Sequence, residues 1–162
     1  MSLRDEWIRA AGALLLLAAS IGFGAANIRA EKNRRRELDA ILRLVRHIRE
    51  NIEHFSRPLG EIWARFDDPV LDASGFLAVL RREGMEAAVR ESTLTADVRA
   101  VLSSFASSLG RGYREEQIAL CRYTEEKLSG IAETLAKSAP DRERLWRTLP
   151  VLAALSLILV SL

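Results

Sequence analysis

The chain contains two histidines, His47 and His54, whose ring nitrogens could bind a transition metal. They lie seven residues apart, and therefore on one face of a helix, with Glu50 and Asn51 between them. That face lies opposite the apolar stripe of the same helix, so no second helix would supply a third and a fourth ligand. The spacing therefore favours solvated histidines over a metal site.

The chain's one cysteine, Cys121, is the residue best suited by type to nucleophilic catalysis. It falls on the apolar stripe of its own helix, which predicts a small buried residue. No histidine lies within sixty residues of it in the sequence to act as a base. A lone cysteine also excludes an internal disulfide, and with it a disulfide-stabilised secreted scaffold.

The segment Gly110-Arg111-Gly112 is a short glycine motif of the kind found in nucleotide-binding loops. It lacks the further glycine, the lysine and the preceding strand of such loops, so we interpret it as a helix end. Carboxylates occur in adjacent pairs, which point about 100° apart on a helix and cannot face one substrate. The pairs are Asp67 with Asp68, Glu115 with Glu116, and Glu125 with Glu126. The sequence therefore favours a function through contacts, not an enzyme, with no metal, cofactor or small-molecule substrate.

The composition indicates a folded chain of one domain with a slightly apolar average. It has 162 residues, of which 49% are hydrophobic and 28% charged, and its mean hydropathy is +0.02. The 24 basic and 22 acidic residues give a net charge of +2, which argues against a nucleic-acid partner. No segment alternates apolar and polar residues over the length of a strand, so the expected fold class is all-α.

An uncharged apolar run near the N-terminus predicts the first of two transmembrane helices. Residues 10–26 carry no charge, and the run extended to residues 8–28 is long enough for ~30 Å of hydrocarbon. A cleaved signal peptide is the alternative. It would need a positively charged N-terminal region, but Asp5 and Glu6 lie there, and the five basic residues that follow the run resist translocation. This membrane-flanking basic cluster consists of Arg29, Lys32, Arg34, Arg35 and Arg36.

A second apolar run, at residues 145–162, predicts a transmembrane helix at the C-terminus. Its 18 residues, at ~1.5 Å each, give about 27 Å, which is just enough to cross. Trp146 would lie at the membrane interface and Pro150 in the first helical turn. A buried or an interfacial helix is the alternative, but an interfacial helix needs a polar face. After Thr148 the run has only Ser156 and Ser161 as polar side chains.

The distribution of Lys and Arg predicts how these helices are oriented. Two basic residues precede the first span, and five follow it within eight positions. By the positive-inside bias, residues 29–144 are expected in the cytosol and residues 1–9 form a short tail on the other side. The lipid bilayer is therefore an expected partner.

The segment between the spans has a helical apolar period and predicts a bundle of about five to six helices. The first of them, nearly continuous with the first span, has apolar residues at steps of three and four: Leu38, Ile41, Val45, Ile48, Ile52 and Phe55. Turn residues predict the breaks between helices. They lie at Pro58, Asp67–Pro69, Gly84 and Gly110–Gly112, and Pro140 is expected to end the last helix.

Three short segments carry a resemblance to a known family. They are Arg57-Pro58-Leu59-Gly60-Glu61, then Phe105 to Leu109-Gly110 followed by Arg114-Glu115-Glu116-Gln117-Ile118, and the charged approach to Arg144-Leu145-Trp146. With the two terminal spans, they resemble the stage III sporulation protein AB family over the whole chain. The chain has Gly112 and Tyr113 where that family usually has a Ser or Thr and an Asp.

This resemblance implies a non-catalytic membrane scaffold in the channel between mother cell and forespore during endospore formation. The cytosolic part would be similar to the helical domain of the inner-membrane platform protein of type II secretion and type IV pilus machines. The implied partners are a cytosolic ATPase and the other membrane proteins of the sporulation channel. The implied location is the cell membrane, specifically the outer forespore membrane of the mother cell.

We expect the docking surface for the ATPase at the tip of the bundle farthest from the bilayer, where the turns at Pro58 and Gly110 fall. The candidate residues are Arg57, Pro58, Leu59, Gly110, Arg111, Arg114 and Gln117. Two other functions stay open on the sequence. One is a general platform component of a secretion or pilus machine, which an organism without endospores would favour. The other is a membrane-anchored signalling adaptor, for which the nine-residue outer tail leaves little room for a ligand site.

Overall fold

The computed structural model describes the backbone of residues 3–55 and 57–161, and the side chains of residues 26–55 and 57–137. Within these ranges the chain forms seven α-helices and no strand, which confirms the all-α prediction. The helices are α1 (Leu3–Phe55), α2 (Leu59–Arg65), α3 (Pro69–Ala73), α4 (Phe76–Glu83), α5 (Met85–Glu91), α6 (Ala96–Ser108) and α7 (Arg114–Ser161).

The chain divides into two compact units. The terminal segments, Met1–Lys32 and Ala136–Leu162, form one unit, and Asn33–Leu135 forms the other, which we call the bundle. Helices α1 and α7 contribute to both units, whereas α2 to α6 belong to the bundle alone.

The described residues include no helix that is both long enough and apolar enough to cross a bilayer. The predicted spans at residues 8–28 and 145–162, and the tail at residues 1–9, fall almost wholly outside the side chains that are described. Both spans therefore stay predictions of the sequence.

The core of the bundle is built on the apolar stripe of α1. Leu38, Ile41, Val45 and Ile48 are buried, as their steps of three and four predict. The other helices add buried side chains to the same cluster: Ile62 from α2, Leu71 from α3, Leu77 and Leu80 from α4, Met85 and Val89 from α5, Leu102 and Phe105 from α6, Cys121 and Leu128 from α7.

The helix α3 was not expected, so the bundle contains seven helical segments where about five to six were predicted. Asp68 begins this helix: its side chain accepts hydrogen bonds from the backbone N–H groups of Val70 (3.0 Å) and Leu71 (3.3 Å). Pro69 occupies the first helical position, where its missing N–H costs nothing. A helix of five residues is too short to show the helical spacing of apolar residues. The N-cap residue Asp68 and the proline after it were therefore the sequence features that could have predicted α3.

The prediction that Pro140 ends the last helix is wrong, because α7 continues to Ser161. A proline inside a helix removes one backbone hydrogen bond and crowds the preceding turn, at about 3 kcal/mol. In a helix of 48 residues, the bonds on both sides of the proline outnumber the one that is lost. The expected helical continuity of residues 8–28 with the following helix is confirmed, since α1 runs from Leu3 to Phe55.

Asp68 also ties α1 to the start of α3. Its Oδ2 lies 2.7 Å from Nη2 of Arg43, and its side chain is 5% exposed. Burial by itself raises the pKa of Asp68, but the hydrogen bonds from Arg43 and from the N–H groups of Leu71 and Val70 outweigh burial and lower that pKa. The charged form therefore stabilises the fold above the unfolded-state pKa of about 3.9. This stabilisation is lost as the pH falls through the lower pKa of the folded state.

We expect Asp68→Asn to lower the free energy of unfolding by about 1 kcal/mol at pH 7, because an amide can cap α3 but cannot pair with Arg43. Urea unfolding of the full chain at pH 7 and at pH 3 measures the effect. The difference from the unsubstituted chain should shrink at pH 3, because this pH lies below the unfolded-state pKa of about 3.9, where the stabilisation by the charged form starts to be lost. Asp67→Asn, at a side chain that is 86% exposed, is the matched control and should change little at either pH. An equal loss for Asp68→Asn at both pH values would contradict the assignment.

Candidate docking surface

The end of α1 and the start of α7 are joined by one arginine. Nε of Arg114 donates a hydrogen bond to the carbonyl oxygen of Ile52 (3.0 Å), and its Nη2 donates to the carbonyl oxygen of Glu53. These carbonyls lie in the last turn of α1, where no further helical N–H can reach them. A cation at this end also suits the partial negative charge of the helix terminus. Arg114 therefore joins the ends of the two long helices.

The buried side chain of Gln117 holds the turn between α6 and α7 in place through hydrogen bonds. This side chain is 7% exposed, and its Oε1 accepts a hydrogen bond from the backbone N–H of Gly110 (2.8 Å). Its Nε2 donates to the carbonyl oxygens of Arg111 (2.6 Å) and Ser108 (3.3 Å). One amide thus satisfies three backbone groups of the turn, which fixes the conformation of an exposed segment.

Two glycines of this turn have backbone conformations that other residues rarely adopt. Gly110 has φ = +79° and Gly112 has φ = +112°, so both lie in the left-handed region. A Cβ at Gly110 would lie 3.0 Å from Cδ1 of Leu59, and one at Gly112 would lie 2.3 Å from Oε2 of Glu116. The glycine motif therefore ends α6 and turns the chain, as the sequence predicts, and leaves room for its neighbours.

The segment after α1 packs against the same turn. Nη1 of Arg57 donates a hydrogen bond to Oδ1 of Asn51 (3.2 Å), and its guanidinium carbon lies 4.4 Å from the centre of the Phe55 ring. Pro58 is exposed and precedes α2, and Leu59 is half-buried beside Gly110. We call this end of the bundle, formed by residues 51–55, 57–59 and 108–117, the tip.

All seven predicted docking residues lie in the tip, but they differ in their exposure to solvent. Pro58, Gly110, Arg111 and Arg114 are exposed. Arg57 and Leu59 are half-buried, and Gln117 lies beneath the surface with its amide bonded to the turn. Gln117 therefore positions the surface, whereas the exposed residues are the ones that a partner can touch.

Sequence reasoning missed two aromatic residues of the tip. Phe55 is 58% exposed and Tyr113 is 79% exposed. The expectation that Phe55 continues the buried stripe of α1 is wrong, because α1 ends at this residue. The signal that could have found both is their position beside predicted chain reversals, where an apolar residue has no neighbouring turn of helix to cover it.

Ion pairs join α1 and α7 just below the tip. Nε of Arg49 lies 2.7 Å from Oε1 of Glu125, and Glu53 lies between Arg49 (3.5 Å) and Arg122 (3.6 Å). The hydrogen bond to Glu125 raises the pKa of Arg49 against the opposing effect of burial. These pairs hold the two helices in register beneath the exposed residues, and no motif in the sequence indicated them.

The predicted membrane-flanking basic cluster is exposed with one exception. Arg29, Lys32, Arg34 and Arg36 are exposed, whereas Arg35 is half-buried. Nη2 of Arg35 donates a hydrogen bond of 2.6 Å to the carbonyl oxygen of Leu135. Arg35 therefore contributes to the packing of α1 against α7 within the bundle.

Of the two histidines and the cysteine considered for metal binding or catalysis, His54 lies within the tip, whereas His47 and Cys121 lie outside it. His47 is half-buried, with its ring centre 5.2 Å from that of Phe66, so the prediction of a solvated side chain is wrong for His47 and confirmed for the exposed His54. Cys121 is buried as predicted, and burial together with the charge of Glu125 raises its pKa to about 12. Among the described side chains, no group of three or more His, Cys, Asp or Glu residues could hold a metal ion.

Comparison with sequence models of protein families gives a match to stage III sporulation protein AB over residues 77–162. The matched segment includes the turn between α6 and α7, and therefore Gln117 and the arginines on either side of Gly112. Neither a curated protein nor a solved structure gives a significant match.

Proposed function

Because the chain belongs to the stage III sporulation protein AB family, we propose that it is a non-catalytic membrane scaffold of the channel between mother cell and forespore. Membership of this family indicates a role in sporulation. In the proposal, the tip of the bundle docks a cytosolic ATPase, and the terminal segments contact the other membrane proteins of the channel. The bundle then keeps the ATPase close to the membrane.

Membrane anchoring is the first part of this proposal, and the sequence of the two ends supports it. The apolar runs at residues 8–28 and 145–162 would cross the bilayer, and the bundle would lie in the cytosol. Arg29, Lys32 and Arg36 are exposed, so their charges are accessible to anionic headgroups.

Docking by the tip is the second part, and one observation carries it. The buried amide of Gln117 makes three hydrogen bonds to the exposed turn that contains Arg111. A surface held in one conformation binds a partner without the cost of ordering a mobile loop. Exposed arginine and aromatic side chains around that turn are the residue types enriched in protein interfaces.

We expect Arg111→Glu to weaken binding of the ATPase about tenfold, because the reversed charge would repel the carboxylates that the arginine attracts. The guanidinium of Arg111 makes no hydrogen bond within the described residues, and only its backbone takes part in the turn. The change therefore alters the charge of the tip without unfolding it. Pulldown of the ATPase with the full-length chain in detergent measures the effect.

Arg90→Glu is the matched control, because Arg90 is exposed on α5, outside the tip. Arg114→Glu is less informative, since it would also break the bonds from Arg114 to α1. Retention of the ATPase by the Arg111→Glu variant at the level of the Arg90→Glu variant would show that docking occurs elsewhere.

A further inference from the structure

Two aromatic side chains of the tip are largely exposed to solvent in the folded bundle. Phe55 is 58% exposed and Tyr113 is 79% exposed. Among the described residues, the other large apolar side chain of this kind is Tyr123, which is 58% exposed and lies ten residues further along the chain on α7. Aromatic residues bury large areas with few rotatable bonds, and they dominate the binding energy of many interfaces.

Phe55 and Tyr113 belong to one surface, although they are far apart in the sequence. Phe55 ends α1, and Tyr113 directly precedes Arg114, whose guanidinium donates to two carbonyl oxygens in the last turn of α1. The guanidinium of Arg57 lies over the Phe55 ring at 4.4 Å. The backbone N–H of Tyr113 donates to Oε2 of Glu116 at 3.0 Å. The Phe55 ring and the backbone at Tyr113 are therefore held in place by contacts within the tip.

The charges around these two rings point to an acidic partner. No ion pair within the described residues involves Arg57, Arg111 or Arg114. Two nearby carboxylates are already engaged, Glu53 with two arginines of the bundle and Glu116 with the turn. Glu115 is exposed and makes no ion pair within the described residues, so the three arginines outnumber the one carboxylate left at the tip. Guanidinium groups bind carboxylates through paired hydrogen bonds, so Asp and Glu side chains of a partner are their natural complement.

We propose that Phe55 and Tyr113 are the aromatic anchors of the tip, and that its protein partner receives them in an apolar pocket rimmed by carboxylates. This inference rests on the proposed function, in which the partner is a cytosolic ATPase. The anchors supply the buried apolar area, whereas Arg57, Arg111 and Arg114 bind the carboxylates at the rim of the pocket and so give specificity.

The test compares single aromatic-to-serine changes in the full-length chain, reconstituted in phosphatidylcholine nanodiscs. Binding of the purified ATPase is followed by biolayer interferometry. Phe55→Ser and Tyr113→Ser should each weaken binding about tenfold or more, the size expected for the loss of an aromatic hot spot. Tyr123→Ser removes a side chain of similar exposure outside the tip and should leave the affinity within about twofold. Equal thermal midpoints of the three variants show that the fold is intact.

The outcomes separate this inference from the proposed function. No binding of the ATPase by the unsubstituted chain would overturn the proposed function. Binding that survives Phe55→Ser and Tyr113→Ser as well as it survives Tyr123→Ser would overturn the assignment of the anchors alone.

A second experiment places a photocrosslinking amino acid at position 113 and identifies what contacts the tip there. An adduct with an Asp- or Glu-containing segment of the ATPase supports the pocket, whereas adducts only with lipid or with a second copy of the chain overturn it.

Discussion

Replacement of Phe105 by alanine should lower the free energy of unfolding of the bundle by about 3–5 kcal/mol. Phe105 is 1% exposed and is the largest of the fully buried side chains among the described residues. Its removal loses the apolar area of the ring and leaves a cavity that rigid helices fill only in part. The helix α6 carries this ring, and the turn of the tip begins directly after α6.

Urea and thermal unfolding of the full chain measure this loss. For a unit of the size of Asn33–Leu135, such a loss corresponds to a fall in the melting temperature of roughly 15 °C or more. Ser104→Ala, at the exposed position directly before Phe105, is the matched control and should stay within about 0.5 kcal/mol. A loss below about 1 kcal/mol for Phe105→Ala would mean that the ring is not part of the core.

Gln117→Leu should lower the free energy of unfolding by about 2–3 kcal/mol, although leucine is apolar and of similar size. The change leaves the N–H of Gly110 and the carbonyl oxygen of Arg111 without their partner, whereas the carbonyl oxygen of Ser108 keeps its bond from the backbone N–H of Arg111. Gln117→Glu should not restore this stability at pH 7, because a buried carboxylate accepts from the N–H of Gly110 but repels the carbonyl oxygens of Ser108 and Arg111.

This substitution also separates a positioning role from a contact. Gln117 is buried, so its loss should weaken binding of the ATPase by loosening the turn, with little change in the association rate and faster dissociation. Glu115→Gln, an exposed change two residues away on α7, is the control and should leave stability near that of the unsubstituted chain. Full stability and full binding of the Gln117→Leu variant would contradict the role of this amide.

Most of the helices could be predicted because their signal is local. The stripe from Leu38 to Ile48 repeats at steps of three and four, and the structure buries it as predicted. Gly84 and Gly110 separate helices as expected. The errors fall where the local pattern is short or ambiguous. The helix α3 is too short to show a period, and a proline such as Pro140 favours a helix end without requiring one.

The sequence predicted which turns form the candidate site, but not which of its side chains are buried, exposed or hydrogen-bonded. Turn residues at Pro58 and Gly110 placed the tip at the end of the bundle, and the structure brings Leu59 against Gly110. The burial of Gln117, the exposure of Phe55 and the bonds of Arg114 were not predicted. Each depends on which helix ends lie next to one another, and no residue type by itself encodes that arrangement.

The sequence alone thus determined an all-helical chain of the stage III sporulation protein AB family, with apolar ends and a charged middle. The helical period and the turn residues act over a few positions, so they can be read along the chain. Only the tertiary structure decided that Arg114 binds the carbonyl of Ile52 and that Arg49 pairs with Glu125, across 62 and 76 positions. Such contacts form because packing of the core brings distant helix ends together, and this packing turns a glycine motif into a rigid, exposed surface.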